Sequence, residues 1–374
     1  MFFKPKSEVS QQDVLRVLSE IQDPDLHRDI VSLGFVKDIK IEGGRVAFKV
    51  ELTTPACPVK DQLKLQCEER VKSLPGVTEV AVEMTAAVRS STGSHGTGAR
   101  ANRISLPSVR NVIAVASGKG GVGKSTVTIN LATALADTGA RVGLLDADVY
   151  GPSVPLMMGT KEKKPTTEGD RVFPVEKDGI KIMSMGYLVP ENQPVIWRGP
   201  MVHGALTQFL NQVEWGDLDY LLIDMPPGTG DAQLTISQTA PLSGAIIVTT
   251  PQDVSLLDAR KGLMMFHNVN VPILGVIENM SGFVCGHCQE TTHIFRKGGG
   301  ERIAKEMGVP LLGAVPIDPR VAECGDAGTP AVGVFPTAEV SKIFKKIAGE
   351  VAAELSILHA KSSGNFHSMS LQWQ

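Results

Sequence analysis

The sequence predicts an α/β domain built on a mainly parallel sheet with helices on both faces, preceded by a small α+β domain. Three observations lead there. From Asn111 onward, short β-branched runs alternate with helix-like segments, and each run stops at a Gly, Pro or Asp. The runs are apolar almost throughout rather than alternating, as in strands buried on both faces. A Gly- and Ser-rich stretch without periodicity separates this part from a shorter N-terminal part with a different pattern.

Residues 8–88 make the first domain. A helix-like stretch begins near Gln11, and alternation over 36–41 and 45–52 predicts two half-buried strands. A helix over 59–73 and a strand over 77–82 follow. Residues 89–108, with Ser90, Ser91, Thr92, Gly93 and Ser94 at their start, are expected to be a flexible linker. Residues 109–360 make the second domain, with strands at 112–116, 142–145, 220–223, 245–249, 273–277 and 311–315. The last helix, 338–358, repeats apolar residues at Val340, Ile343, Phe344, Ile347, Val351 and Leu355. That stripe suits a helix docked on the sheet, with an amphipathic membrane anchor as the alternative. Residues 361–374 are expected to be disordered.

With 374 residues, 42% hydrophobic and 21% charged, the chain has apolar material for two ordinary domains. A formal net charge of -3 gives no basic footprint, so nucleic acid is not an expected partner, and no membrane partner is expected either. The opening residues Met1 to Lys6 lack the apolar core of a secretion signal. No segment reaches the roughly 18 apolar residues of a membrane span, so a cytoplasmic location is expected. Five cysteines without a secretion signal read as reduced thiols rather than a disulfide framework.

Directly after the first strand of the second domain stands Gly118-Lys119-Gly120-Gly121-Val122-Gly123-Lys124-Ser125-Thr126. This matches G-x-x-x-x-G-K-[ST] in the strand-to-helix context that a P-loop requires. The glycines let backbone N–H groups converge on phosphate oxygens, and the next helix turns its positive end toward the same anion. Lys124 then reaches the β- and γ-phosphates of ATP, and the Ser125 hydroxyl ligates Mg²⁺. Two apolar strands end in carboxylates. One carries Asp146 and Asp148; the other runs into Asp224-Met225-Pro226-Pro227-Gly228, as a Walker B segment does. Asp224 is expected to hold Mg²⁺ through water, and the backbone of Gly228 to sense the γ-phosphate.

Cys285-Gly286-His287-Cys288 lies after the 273–277 strand. Two thiolates at this spacing bind one soft metal centre from one side, and two more ligands are needed to close a four-thiolate site. An iron–sulfur cluster, zinc with His287 or His293, and a redox dithiol are all compatible with the spacing. Cys57 sits at a strand-to-helix turn where a thiol can be reactive or merely packed. Cys67 is expected in the core, and Cys324 has no evident partner.

Lys119, one residue after the first loop glycine, makes the sequence similar to the deviant Walker A ATPases. With the thiolate pair and the first domain, the chain resembles the Mrp/NBP35 (ApbC-type) family of iron–sulfur carrier ATPases. The first domain, through Asp23-Pro24-Asp25-Leu26 and Thr54-Pro55-Ala56-Cys57-Pro58, resembles the MIP18-like domain of bacterial members. The resemblance implies a P-loop NTPase fold and a homodimer in which Lys119 crosses to the partner's nucleotide. It implies that Asp148 positions or activates the attacking water, and that Asn279 bonds the adenine edge beside the Pro316-Ile317-Asp318 turn. It also implies a [4Fe–4S] cluster bridging the dimer through Cys285 and Cys288. Apo iron–sulfur recipient proteins and a cluster-assembly scaffold are then the expected partners. A positioning ATPase like MinD and ParA shares the nucleotide site but leaves the thiolates and the first domain unused. An electron-transfer role like that of the nitrogenase reductase needs a redox partner.

Overall fold

The computed structural model describes residues 9–88, 90, 104–149, 151–188 and 199–362. Most of the expected linker, residues 89 and 91–103, and the expected tail beyond 362 lie outside the described residues. The chain divides into two compact units, one of residues 1–89 with 352–374 and the other of 90–351.

In the first unit, helix Gln11–Leu18 starts at a reciprocal cap: Asp13 N–H donates to Ser10 Oγ at 3.2 Å, and Ser10 N–H to Asp13 Oδ2 at 3.1 Å. Strand Val36–Glu42 pairs antiparallel with Arg45–Leu52, which pairs parallel with Glu79–Ala86. The central strand alternates as the sequence requires, with Val46, Phe48, Val50 and Leu52 buried. They pack against Leu63, Cys67 and Val71 of helix Lys60–Lys72. Cys67 is therefore core, as expected. The third strand begins two residues later than its apolar run. Thr78 N–H turns back to the Gly44 carbonyl at 2.8 Å, outside the ladder.

The second unit is built on one sheet, whose strands we number separately. They are β1 (Val109–Ala116), β2 (Val142–Asp146), β3 (Val175–Lys177), β4 (Ile180–Ser184), β5 (Leu218–Asp224), β6 (Gly244–Thr249), β7 (Ile273–Val284), β8 (Thr291–Thr292) and β9 (Leu311–Ile317). Among the described residues they form nine strands in the order β3-β4-β2-β5-β1-β6-β7-β8, with β9 also paired to β7. Every pairing is parallel except β3 with β4 and β7 with β8. Strands β2, β5 and β6 are buried along their whole length, which explains their unbroken apolar sequence. The β3–β4 hairpin was not expected. Its turn is Asp178-Gly179, with φ of 52° and 75°, the double left-handed turn that matches strand twist.

The helices that matter for the site are α1 (Lys124–Ala136), α2 (Asp231–Thr239), α3 (Asp253–Asn268), α4 (Gly299–Glu306) and α5 (Glu339–Ser362). Helix α5 docks on the sheet, as its stripe suggested: Val340, Phe344, Ile347 and Val351 are buried. Ile347 lies so close to β9 that a Cβ on Gly313 would fall 2.6 Å from its Cγ1. The expected domain boundary at 360 differs from the structure. Residues 352–362 of α5 group with the first unit, where Ile357 and Ala360 join the core and Ser356 Oγ donates to Thr53 Oγ1 at 2.9 Å. No helix among the described residues is long and apolar enough to cross a membrane.

Asp219, 7% exposed near the start of β5, ties strand ends together. It accepts hydrogen bonds from Arg141 N (2.9 Å) and Arg141 Nη2 (3.1 Å), and one from Arg110 Nη1 (3.1 Å). Burial pushes its carboxyl up, but the Arg141 hydrogen bonds and the two guanidinium charges outweigh this and hold it below its ordinary value. The folded value lies under the unfolded one of about 3.9, so the stabilisation is complete above that pH and is lost as pH falls through the folded value. Solvent on the Arg141 side screens the pair, so Asp219→Asn is expected to cost about 1–2 kcal/mol at neutral pH. Calorimetric melts should show this gap in Tm shrinking toward about pH 3; a gap that persists there would contradict the charge argument.

Candidate functional site

The P-loop joins β1 to α1, and its shape depends on glycine at two contacts. A Cβ on Gly118 would fall 2.2 Å from the Asp258 carbonyl of α3, so only glycine lets the loop pass that helix. Gly123 is left-handed (φ 79°) and would place a Cβ 2.3 Å from Asn279 Nδ2. No side chain caps α1, so its first N–H groups face the loop, the arrangement that holds phosphate.

Beneath the loop lies a buried polar cluster. Lys124 Nζ is 2.8 Å from Asp224 Oδ2, with side-chain exposures of 6% and 0%. Ser125 Oγ donates to the same Oδ2 at 2.6 Å, and Thr128 Oγ1 donates to Oδ1 at 2.8 Å. Lysine, loop hydroxyl and strand carboxylate thus converge at one point beneath the loop. Ser125 and Asp224 together offer the hard oxygen donors that suit Mg²⁺ alongside water and phosphate. The amide of Gly121 belongs to a left-handed turn (φ 82°), and Gly120 and Gly121 are exposed at the loop crest.

Asp146 stands at a strand end that the sequence marks, but its burial was not legible there. It is fully buried at the end of β2, where Ser184 Oγ donates to its Oδ2 at 2.8 Å and Asp148 N–H to its Oδ1 at 3.1 Å. Burial, and then the neighbouring Asp224 charge, push its carboxyl up to about 7 against the pull of Ser184 and Lys124. Asp148, 9% exposed, sits just beyond the strand and accepts from Gly151 N–H at 3.3 Å. Thr128 was also missed, since a mid-helix threonine carries no motif.

Lys119 is half-buried, and its ammonium has no acidic partner among the described residues. Gly228 is left-handed (φ 93°), and its N–H donates to the Ser117 carbonyl at 3.0 Å. Asn279, 8% exposed on β7, donates from Nδ2 to the Val122 carbonyl at 2.8 Å, which fastens β7 to the P-loop. Thr126, in the first turn of α1, accepts from Asn130 Nδ2 through its carbonyl at 2.9 Å.

The thiolate pair lies in the loop between β7 and β8. Cys285 N–H donates to the Glu290 carbonyl at 3.0 Å, and Gln289 N–H to the Cys285 carbonyl at 2.9 Å. Cys285 is half-buried and Cys288 exposed. The backbone N–H groups of Cys288 and His287 point at the Cys285 sulfur, and together with a hydrogen bond from the Cys288 thiol they hold Cys285 below the usual thiol range. No group of three or more His, Cys, Asp or Glu side chains able to hold a metal occurs among the described residues. His293 instead has Nδ1 3.0 Å from the Ser281 carbonyl.

In the first unit the two resembling segments meet. Asp23 Oδ1 caps its own turn, accepting from Asp25 N–H (3.0 Å) and Leu26 N–H (2.8 Å). Burial, followed by the Asp25 and Asp23 charges, pushes the Cys57 thiol up to about 11. At neutral pH it is an unreactive thiol.

Comparison with known proteins agrees with this geometry. Residues 108–352 match the family described as NUBPL iron-transfer P-loop NTPase, and residues 11–83 match the one described as iron-sulfur cluster assembly protein. The iron-sulfur cluster carrier protein of Synechocystis sp. is 49% identical over 349 residues, covering 92% of this chain and 97% of its own. That of Deinococcus radiodurans is 46% identical over 345 residues, covering 92% and 95%. Among solved structures, a nucleotide-binding protein from Archaeoglobus fulgidus in complex with ADP is 40% identical. It covers 59% of this chain and 87% of its own, with a TM-score of 0.54. The chain belongs to the family of iron-transfer P-loop NTPases, as a member with an N-terminal iron–sulfur assembly domain.

Proposed function

We propose that two copies of this chain hold an iron–sulfur cluster between their Cys285 and Cys288 pairs and deliver it to apo-proteins in the cytoplasm. ATP binding and hydrolysis at the P-loop control the dimer. The observation that carries this reading is the incompleteness of the thiolate site in one chain: two sulfurs on an accessible loop, with no third ligand beside them among the described residues. A two-fold axis through that loop supplies four thiolates, the complement of a [4Fe–4S] cluster. Val284 and Ile294, 42% and 53% exposed on either side of the loop, give such a contact apolar surface to bury.

The nucleotide site supplies the other half. Lys124 would move from Asp224 to the β- and γ-phosphates, and Ser125, with Asp224 through water, would hold Mg²⁺. Bound Mg²⁺ neutralises charge on the phosphate oxygens. Lys119, with no acidic partner among the described residues, reaches the partner's nucleotide, and Asp148 orients the attacking water. Asn279 is suited to the adenine edge while its amide stays on the loop. The same strand, β7, carries Asn279 against the P-loop and ends one residue before Cys285, so a change in the loop is transmitted along one strand to the sulfurs. A cluster-assembly scaffold would load the cluster.

Anaerobic reconstitution followed by iron, sulfide and zinc analysis is the test. A shared cluster gives roughly two irons per chain in a particle of dimer mass. A monomer under those conditions, or zinc in place of iron, would leave a P-loop ATPase without the carrier role.

A further inference from the structure

Gln233, on α2, is 1% exposed and faces two segments that close the nucleotide site. Its Nε2 donates to the Pro226 carbonyl at 2.6 Å and lies 3.4 Å from the Ser117 carbonyl; Oε1 is buried without a hydrogen-bond partner. Both neighbours are carbonyls, so the amide forms hydrogen bonds only in this orientation. Ser117 ends the turn out of β1, and its carbonyl already accepts from Gly228 N–H at 3.0 Å.

That shared acceptor bears on how the site reads ATP. For Gly228 N–H to meet a γ-phosphate, it must leave the Ser117 carbonyl. The carbonyl is then a buried acceptor, and among the described residues the other donor directed at it is the second N–H of Gln233. An unsatisfied buried carbonyl opposes the change, and a donor that moves in from 3.4 Å removes the opposition.

We propose that Gln233 is a positioning residue for ATP hydrolysis: its amide takes over the Ser117 carbonyl when Gly228 turns toward the γ-phosphate, while its bond to Pro226 keeps the Pro226–Gly228 turn in register. The inference rests on the reading above in which Gly228 senses that phosphate. ADP makes no such demand, so the effect is specific to the triphosphate.

The test uses full-length Gln233→Met, which fills the space without a donor, and Gln233→Glu, which keeps the shape and presents an acceptor to two carbonyls. Each should lower kcat for ATP about tenfold while KM stays within about twofold, and ADP affinity should stay within about twofold of wild type. Turnover at the wild-type level in either variant, or equal weakening of ATP and ADP, would overturn it, the second because it marks a general packing defect. If one variant does not fold, the other decides. Iron loading of the wild-type protein, measured in parallel, tests the carrier reading separately, since the ATP–ADP contrast does not depend on it.

Discussion

Lys124→Ala is expected to reduce ATP turnover at least about 100-fold, to the background of a steady-state phosphate-release assay. Among the described residues the lysine is the one cation buried beneath the loop, 6% exposed, and its ammonium already lies 2.8 Å from the strand carboxylate that faces the nucleotide. No other side chain among the described residues can replace it: Lys119 stands five positions earlier, on the far side of a turn shaped by Gly121 and Gly123. Charge that develops on the phosphate oxygens then loses its stabilisation in a place where water cannot make up the loss. Turnover within a few fold of wild type would show that the loop holds no reacting phosphate.

The same variant has a second readout in the nucleotide-free protein. Asp146 is held up to about 7 by burial and by Asp224, with Ser184 and the Lys124 charge pulling down. Its folded value lies above the unfolded one of about 3.9, so the folded state binds the proton more tightly and stability falls as pH rises through that window. Removing Lys124 raises Asp146 further and extends the window to higher pH. The difference in Tm between wild type and Lys124→Ala should therefore widen from pH 7 to about pH 8.5. A constant difference would mean that the two carboxylates do not feel the lysine as the 2.8 Å contact requires.

The parts of this site that could be read from the chain are those whose residues are contiguous. Gly118 to Thr126 carries both its chemistry and its position after a strand, and the Asp224 strand end needs only its apolar run to be recognised. The environment of Asp146 could not be read because its hydrogen-bond partner Ser184 arrives 38 residues later on a strand of its own. That strand belongs to the Asp178-Gly179 hairpin, whose turn signal was present but whose short flanking runs resemble loop. Helix α5 shows the opposite case. Its stripe correctly predicted a docked helix, yet one periodicity runs through residues that serve two cores, so the change at 352 leaves no mark in the pattern. The roles of Lys119, Asp148 and Gly228 depend on a partner chain or a bound nucleotide, and no arrangement within one chain displays them.

Replacing Cys285 and Cys288 together with serine is expected to remove all bound iron and sulfide, from roughly two irons per chain to background, with ATP and ADP affinity kept. Serine preserves the loop, whose turn is made by backbone bonds from Cys285 to Glu290 and from Gln289 to Cys285, but it offers a hard oxygen where soft sulfur is required. Nucleotide binding survives because β7 keeps Asn279 on the Val122 carbonyl, well before the substituted positions. The remaining cysteines cannot stand in. Burial pushes Cys57 to about 11 and Cys67 to about 12, and burial also raises Cys324, so all three stay protonated at neutral pH. Cys285 is held below the usual thiol range by N–H groups of its own loop. Iron equal to wild type in the double variant would require one of those three thiols to ionise and reach a second chain, and the assignment of the cluster to this loop would then be wrong.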